Sequence, residues 1–157
     1  MRPVFVVSDL HLGDGGPRDN FFYGGRRACF EAFLDHVEAQ RGRLFILGDL
    51  FEFWQGNVGQ ILVSNRPLLD RFARMGAEYV VGNHDVDLAP LVGQDALSHP
   101  FFARMRCAFD ETFEMGGRRL SVRFLHGHEA DALNSGLNPG LGRVCSILAG
   151  LIEDFNG

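Results

Sequence analysis

Four short stretches place metal-binding side-chain types directly after apolar runs: Asp9-Leu10-His11, Gly48-Asp49, Gly82-Asn83-His84-Asp85 and His126-Gly127-His128. Carboxylate, imidazole and amide oxygen form a mixed donor set that suits Mn²⁺, Fe or Zn²⁺ better than Mg²⁺. A carboxylate such as Asp49 has two oxygens and can bridge two ions about 3.5–4 Å apart, the spacing used by two-metal phosphatases. Such a pair lowers the pKa of a shared water and stabilises the attacking and leaving oxygens of an in-line displacement. Each stretch alone has an ordinary explanation. A strand-end Asp is most often a cap, a loop His is most often hydrogen-bonded, and Gly-Asn is a turn signal. Recurrence of the same arrangement at four strand ends is what points to a site.

The elements that must deliver these residues are readable from the apolar periodicity. Pro3 to Val7 and Leu44 to Leu47 are β-branched or aromatic runs that read as buried strands, as does Glu78 to Val81. Between them, Cys29, Phe30, Phe33, Leu34 and Val37 recur at helical spacing within Arg26–Arg41, and Ile61–Met75 reads as a second helical stretch, interrupted or restarted at Pro67. This β-α-β-α-β order favours a parallel sheet, whose ligands sit at the carboxyl ends of the strands. Asp14 to Gly25 is a long Gly- and Asp-rich loop beside the first of those ends. Pro90 and Pro100 break the stretch from Leu88 to Met105 into short helical pieces. Thr112–Met115 and Leu120–Leu125 read as a hairpin around a four-residue loop, Gly116 to Arg119. Leu141 to Ile152 reads as a strongly apolar final helix.

With 157 residues, 46% hydrophobic and 22% charged, the sequence fits one globular domain, 1–157, long enough to bury a core. A net charge of −5 argues against a non-specific nucleic-acid binder, and all 15 basic residues are arginines scattered along the chain. The three cysteines have no metal-type or redox spacing and read as reduced, mostly buried residues in a cytoplasmic protein. No window approaches the roughly 20 apolar residues that span a bilayer, and the N-terminus reads as a strand rather than a leader. His36 and His99 lack the strand-end context and default to structural or surface roles. Phe51, Phe53 and Trp54 read as packing or pocket wall.

Taken together, the four blocks resemble those of the calcineurin-like metallophosphoesterase family, in order and in strand context over nearly the whole chain. The resemblance implies an α/β fold of the α+β sandwich kind, two β-sheets flanked by helices. It implies that Asp9 and His11 bind one metal, that Asp49 bridges both, and that Asn83 and His126 bind the second. His84, oriented by Asp85, would be the general acid or phosphate-stabilising group. The cofactors implied are two divalent ions, Mn²⁺ first, with Zn²⁺ or Fe as alternatives. The implied reaction is hydrolysis of a phosphoester or pyrophosphate by a metal-bridging hydroxide; a non-catalytic metal-binding scaffold is the alternative.

Within that family, Asp9-Leu10-His11-Leu12 with Gly48-Asp49-Leu50-Phe51-Glu52-Phe53-Trp54 is most similar to the UDP-2,3-diacylglucosamine hydrolase-like members. This implies a nucleotide-diphosphate substrate, with lipid-linked ones included, and a cytoplasmic protein able to touch the inner membrane peripherally. Two departures stand out. The typical hydrolase has Arg where this chain has His84. The family's final Gly-His-x-His block is also absent, which implies a missing His ligand on each metal and missing strands in the second sheet. The expectation is a piece of a longer protein, incomplete at its C-terminal end, with His128 as a candidate substitute ligand.

Overall fold

A computed structural model describes residues 2–22, 24–94, 97–130 and Val144. Its organising element is a four-stranded parallel sheet with strand order β1-β2-β3-β4, formed by β1 (Val4–Val7), β2 (Arg43–Leu47), β3 (Glu78–Val80) and β4 (Met105–Arg106). Helix α1 (Arg26–Ala39) connects β1 to β2, and α2 (Val58–Ser64) with α3 (Arg66–Met75) connects β2 to β3. The observed β-α-β-α-β order and the parallel pairing are those expected from the apolar periodicity.

β2 is covered on both faces, which is why it reads as an unbroken apolar run. Leu44 and Ile46 pack with Phe30, Leu34 and Val37 of α1 and Leu68, Leu69 and Phe72 of α3 in one core. The alternate residue, Phe45, faces the other way, where its ring meets Phe109 and Phe124 at 5.1 and 4.9 Å. Those two rings belong to a second sheet, an antiparallel hairpin of β5 (Phe109–Met115) and β6 (Arg118–Phe124). The hairpin thus covers the opposite face of the central strand, while Val6 of β1 remains 48% exposed.

Several local expectations are corrected. The hairpin closes through two residues rather than four: Met115 pairs with Arg118, and Gly116 and Gly117 both take positive φ. A two-residue turn of that kind matches the twist of the strands, and glycine is the residue that tolerates both angles. β4, only two residues long, gave no periodic signal. The second helical stretch begins at Val58, where Asn57 accepts a hydrogen bond from Gln60 N, and it restarts at Arg66 with Pro67 in the first turn. Cys29 and Cys107 are exposed rather than buried. The expected apolar helix Leu141–Ile152 lies outside the described residues, apart from Val144.

Candidate metal centre

Beyond the ends of β1 and β2 the two chains continue to pair. His11 N donates to Asp49 O at 2.9 Å, Leu12 N to Leu50 O at 2.8 Å, and Glu52 N to Leu12 O at 3.1 Å. This pairing runs the Asp9-Leu10-His11 and Gly48-Asp49-Leu50-Phe51-Glu52 loops side by side. It also places Asp9, His11 and Asp49 in the left-handed region, at φ of 55°, 47° and 50°. L-residues rarely sit there, and such strain gathers at functional sites.

Two glycines make the approach of the other blocks possible. A Cβ on Gly48 would lie 2.3 Å from the His126 ring, and one on Gly82 would lie 2.2 Å from Asp49 Oδ1. Both positions therefore admit only a bare backbone. His126 Nδ1–H donates to Leu47 O at 2.7 Å, which turns Nε2 toward Asn83 Oδ1 at 3.1 Å and Asp49 Oδ2 at 3.4 Å. Asp49 Oδ1 accepts from His84 N at 2.9 Å, leaving Oδ2 between His126 and His11, whose Nε2 is 3.9 Å away. One carboxylate oxygen thus lies between the imidazole nitrogens of two different strand-end blocks.

His11 and His84 meet through Glu52, which lies outside the four blocks. Glu52 accepts from His11 Nδ1 at 2.9 Å and from His84 Nδ1 at 2.8 and 2.9 Å. In the sequence Glu52 is marked by its place in the loop that follows β2, three residues after Asp49 and within the Gly48–Trp54 stretch that carries the resemblance. Trp54 closes this corner, stacked on His84 with ring centroids 3.8 Å apart.

Asp85 does not meet the His84 ring. Fully buried, it accepts from Gly82 N at 2.6 Å, Leu50 N at 2.8 Å, Phe51 N at 3.2 Å and Tyr79 OH at 2.6 Å. It therefore clasps the loop after β2 to the loop after β3, and the carboxylate at His84 Nδ1 is Glu52. His128 opens a 3-10 turn, with its ring 5.4 Å from that of His126. His36 packs against Phe5, and His99 pairs with Asp70 at 2.9 Å.

The electrostatics follow from these contacts. Burial alone would raise Glu52, but the two imidazoles outweigh it and bring its pKa down to about 2. Burial is likewise overcome at Asp49, where the contacts to His126 and to His84 N lower the carboxyl. His126 is raised to about 9, first by Asp49, with burial opposing and the Leu47 carbonyl adding. Burial would lower His11, but Glu52, Asp49 and Asp9 raise it on balance. Burial is the largest influence on Asp85 and pushes its carboxyl up, against the contacts to Tyr79, Gly82 and Phe51 and with the charge of Asp49 adding.

This donor set fits divalent metal ions. Ligand atoms of Asp9, His11 and Asp49 lie within 4.8 Å of one another, as do those of His11, Glu52 and His84. The carbonyl behind His126 and the carboxylate behind His11 each fix Nδ1 as the protonated nitrogen, so Nε2 is presented for coordination, the usual outer-shell arrangement of a metal-bound imidazole.

A parallel sheet that gathers carboxylates, imidazoles and an asparagine at its strand ends forms a candidate metal-binding centre. The chain belongs to the calcineurin-like phosphoesterase family, whose model matches residues 2–140. It is similar to UDP-2,3-diacylglucosamine hydrolases. Similarity to that of Chromobacterium violaceum is 39% identity over 88 residues, covering 52% of this chain and 33% of the relative. Similarity to that of Neisseria meningitidis serogroup A is 33% over 100 residues, covering 60% of this chain and 37% of the relative. For that of Haemophilus influenzae (strain PittGG) it is 32% over 89 residues, covering 54% and 35%. The matched part of the chain thus spans about a third of the length of these relatives.

Proposed function

We propose that residues 1–157 form one domain that supplies the catalytic edge of a metal-dependent hydrolase of phosphoester or pyrophosphate bonds, loaded with two divalent ions, Mn²⁺ first. The observation that carries this reading is Asp49 Oδ2, which lies 3.9 Å from His11 Nε2 and 3.4 Å from His126 Nε2. Asp9 and His11 would hold one ion, Asn83 and His126 the other, with Asp49 common to both and His128 a further candidate ligand. When bound, the ions lower the pKa of a water and stabilise charge on the phosphoryl oxygens.

The remaining groups orient and move protons. Glu52 holds Nδ1 of both His11 and His84, so His84 Nε2 is left as the atom that, in the imidazolium form, donates a proton or hydrogen bond to the phosphoryl or leaving oxygen. Trp54 keeps that ring from rotating. Asp85 acts at one remove, by fixing the two loops that carry Asp49 and Asn83.

The relatives' names support a nucleotide-diphosphate, lipid-linked substrate as the first to test, with general phosphodiesters next because His84 stands in the third block. A cytoplasmic protein with peripheral membrane contact is part of this reading; among the described residues no helix is long and apolar enough to cross a membrane. The test is metal analysis together with Mn²⁺-dependent turnover of bis-p-nitrophenyl phosphate. A chain that binds no transition metal and turns over no ester, in its longest available reading frame, would overturn the proposal in favour of a scaffold.

A further inference from the structure

A cavity of about 730 Å³ opens beside the metal-binding edge and reaches residues that the proposed chemistry does not use. Its lining joins Asp9, His11 and Glu52 to two arginines, Arg18 and Arg26. Phe21 and Phe30, in edge contact at 5.6 Å, give it an apolar portion. In a chain of net charge −5, two arginines stand at the end of this cavity away from the carboxylates Asp9 and Glu52.

The segment bearing Arg18 is anchored. Asp19, 6% exposed, accepts from Gly15 N at 2.8 Å, Phe21 N at 3.0 Å and Phe22 N at 3.1 Å. Asn65 donates to Gly13 O at 2.7 Å and Ser64 to Asp14 O at 2.9 Å, fastening the same loop to the α2–α3 junction. Arg26 opens α1 and donates to Asn20 O at 2.9 Å, which ties the helix start to the loop. A guanidinium has five donors, so this bond leaves others for a ligand. The first turn of α1 carries no acidic residue and no side-chain cap.

We infer that this cavity is a second anion subsite, in which Arg18 and Arg26 hold a phosphate group on the part of the substrate that is not cleaved. This rests on the phosphoesterase reading for its role in turnover, but binding at the arginines needs no metal. Without metal, Asp9 and Glu52 at the other end of the cavity repel an anion, while Arg18 and Arg26 attract it.

Cys29, exposed and part of the same lining, reports occupancy. In chelator, the rate of Cys29 alkylation by iodoacetamide is followed by peptide mass mapping, with Cys107 as internal control. For a Kd of about 1 mM, 10 mM phenyl phosphate slows Cys29 about tenfold and leaves Cys107 unchanged, whereas phenol slows neither. Arg18→Ala with Arg26→Ala abolishes the protection, as does the charge-keeping but fork-less Arg18→Lys with Arg26→Lys in large part; unchanged far-ultraviolet circular dichroism shows that each variant is folded. An unprotected Cys29 in the native chain, equal protection by phenol, or equal protection in the alanine variant would overturn the subsite. Bis-p-nitrophenyl phosphate turnover by the native protein is scored separately. Protection without turnover removes the catalytic reading alone, and turnover without protection removes the subsite alone.

Discussion

Trp54 lies flat against His84, with ring centroids 3.8 Å apart and planes within 22° of parallel. It is the chain's single tryptophan, so its emission reports on the one corner of the protein where His84, His11 and Glu52 meet. Addition of Mn²⁺ to metal-free protein should change that emission saturably, and chelator should reverse the change. Emission unmoved by metal, in protein shown by direct analysis to bind it, would contradict the proposed placement of the ions.

Glu52→Gln keeps the shape but removes the charge that orients two imidazoles. The expected result is a fall in Mn²⁺-dependent kcat of about 10- to 100-fold, the range for groups that support metal ligands, with the fold retained. Steady-state kinetics and a melting curve on the same preparation check it.

Asp49→Asn replaces the oxygen shared by the two imidazole-bearing blocks with a neutral amide. Bound metal per chain should drop and activity should fall at least about 100-fold, a loss of several kcal/mol of charge stabilisation. Elemental analysis after gel filtration and turnover at saturating Mn²⁺ separate weaker loading from an impaired loaded site.

In metal-free protein the site makes stability depend on pH at both ends. Glu52 is lowered from 4.5 to about 2, so its contribution is full above the ordinary value and is lost as the pH falls toward 2. His126 is raised from 6.5 to about 9, so its contribution is full below 6.5 and is lost as the pH rises through 9. Melting temperatures in chelator should show both limbs, with the acid limb flattened in Glu52→Gln and the alkaline limb in His126→Asn. An imidazolium cannot coordinate, so apparent Mn²⁺ affinity should rise about tenfold per pH unit between 6.5 and 9 if His126 releases its proton on binding.

Asp85→Asn leaves the buried donors of Gly82, Leu50, Phe51 and Tyr79 competing for one oxygen. A loss of about 2–4 kcal/mol is expected, by analogy with other buried donors left unpaired, or roughly 5–15 °C in Tm for a chain of this size. Tyr79→Phe, which removes one donor and leaves three backbone donors on Asp85, should cost only about 1 kcal/mol. Equal losses in the two variants would show that Asp85 acts mainly through Tyr79 and does not clasp the two loops.

The sequence by itself determined the parts whose causes are local. Alternation and helical spacing depend on near neighbours, so β1, β2, β3 and α1 were legible, and so were the four blocks that end the strands. The family resemblance followed from those blocks, and the comparison over residues 2–140 bears it out. The hairpin loop, in which Gly116 and Gly117 both take positive φ, is two residues shorter than the apolar pattern predicts.

Only the tertiary structure decided which carboxylate serves which imidazole. Asp85 is adjacent to His84 in the chain, and adjacency suggested a pair. The parallel pairing of the β1 and β2 exit loops instead brings Glu52 to His11 and His84, while four buried donors from two loops claim Asp85. That choice depends on residues some 30 to 40 positions apart meeting across the sheet edge, which no local pattern encodes. The loop after β1 folds locally around Asp19, but long-range contacts of Asn65 with Gly13 and of Ser64 with Asp14 decided where it sits, with Arg18 in the cavity beside the metal-binding edge.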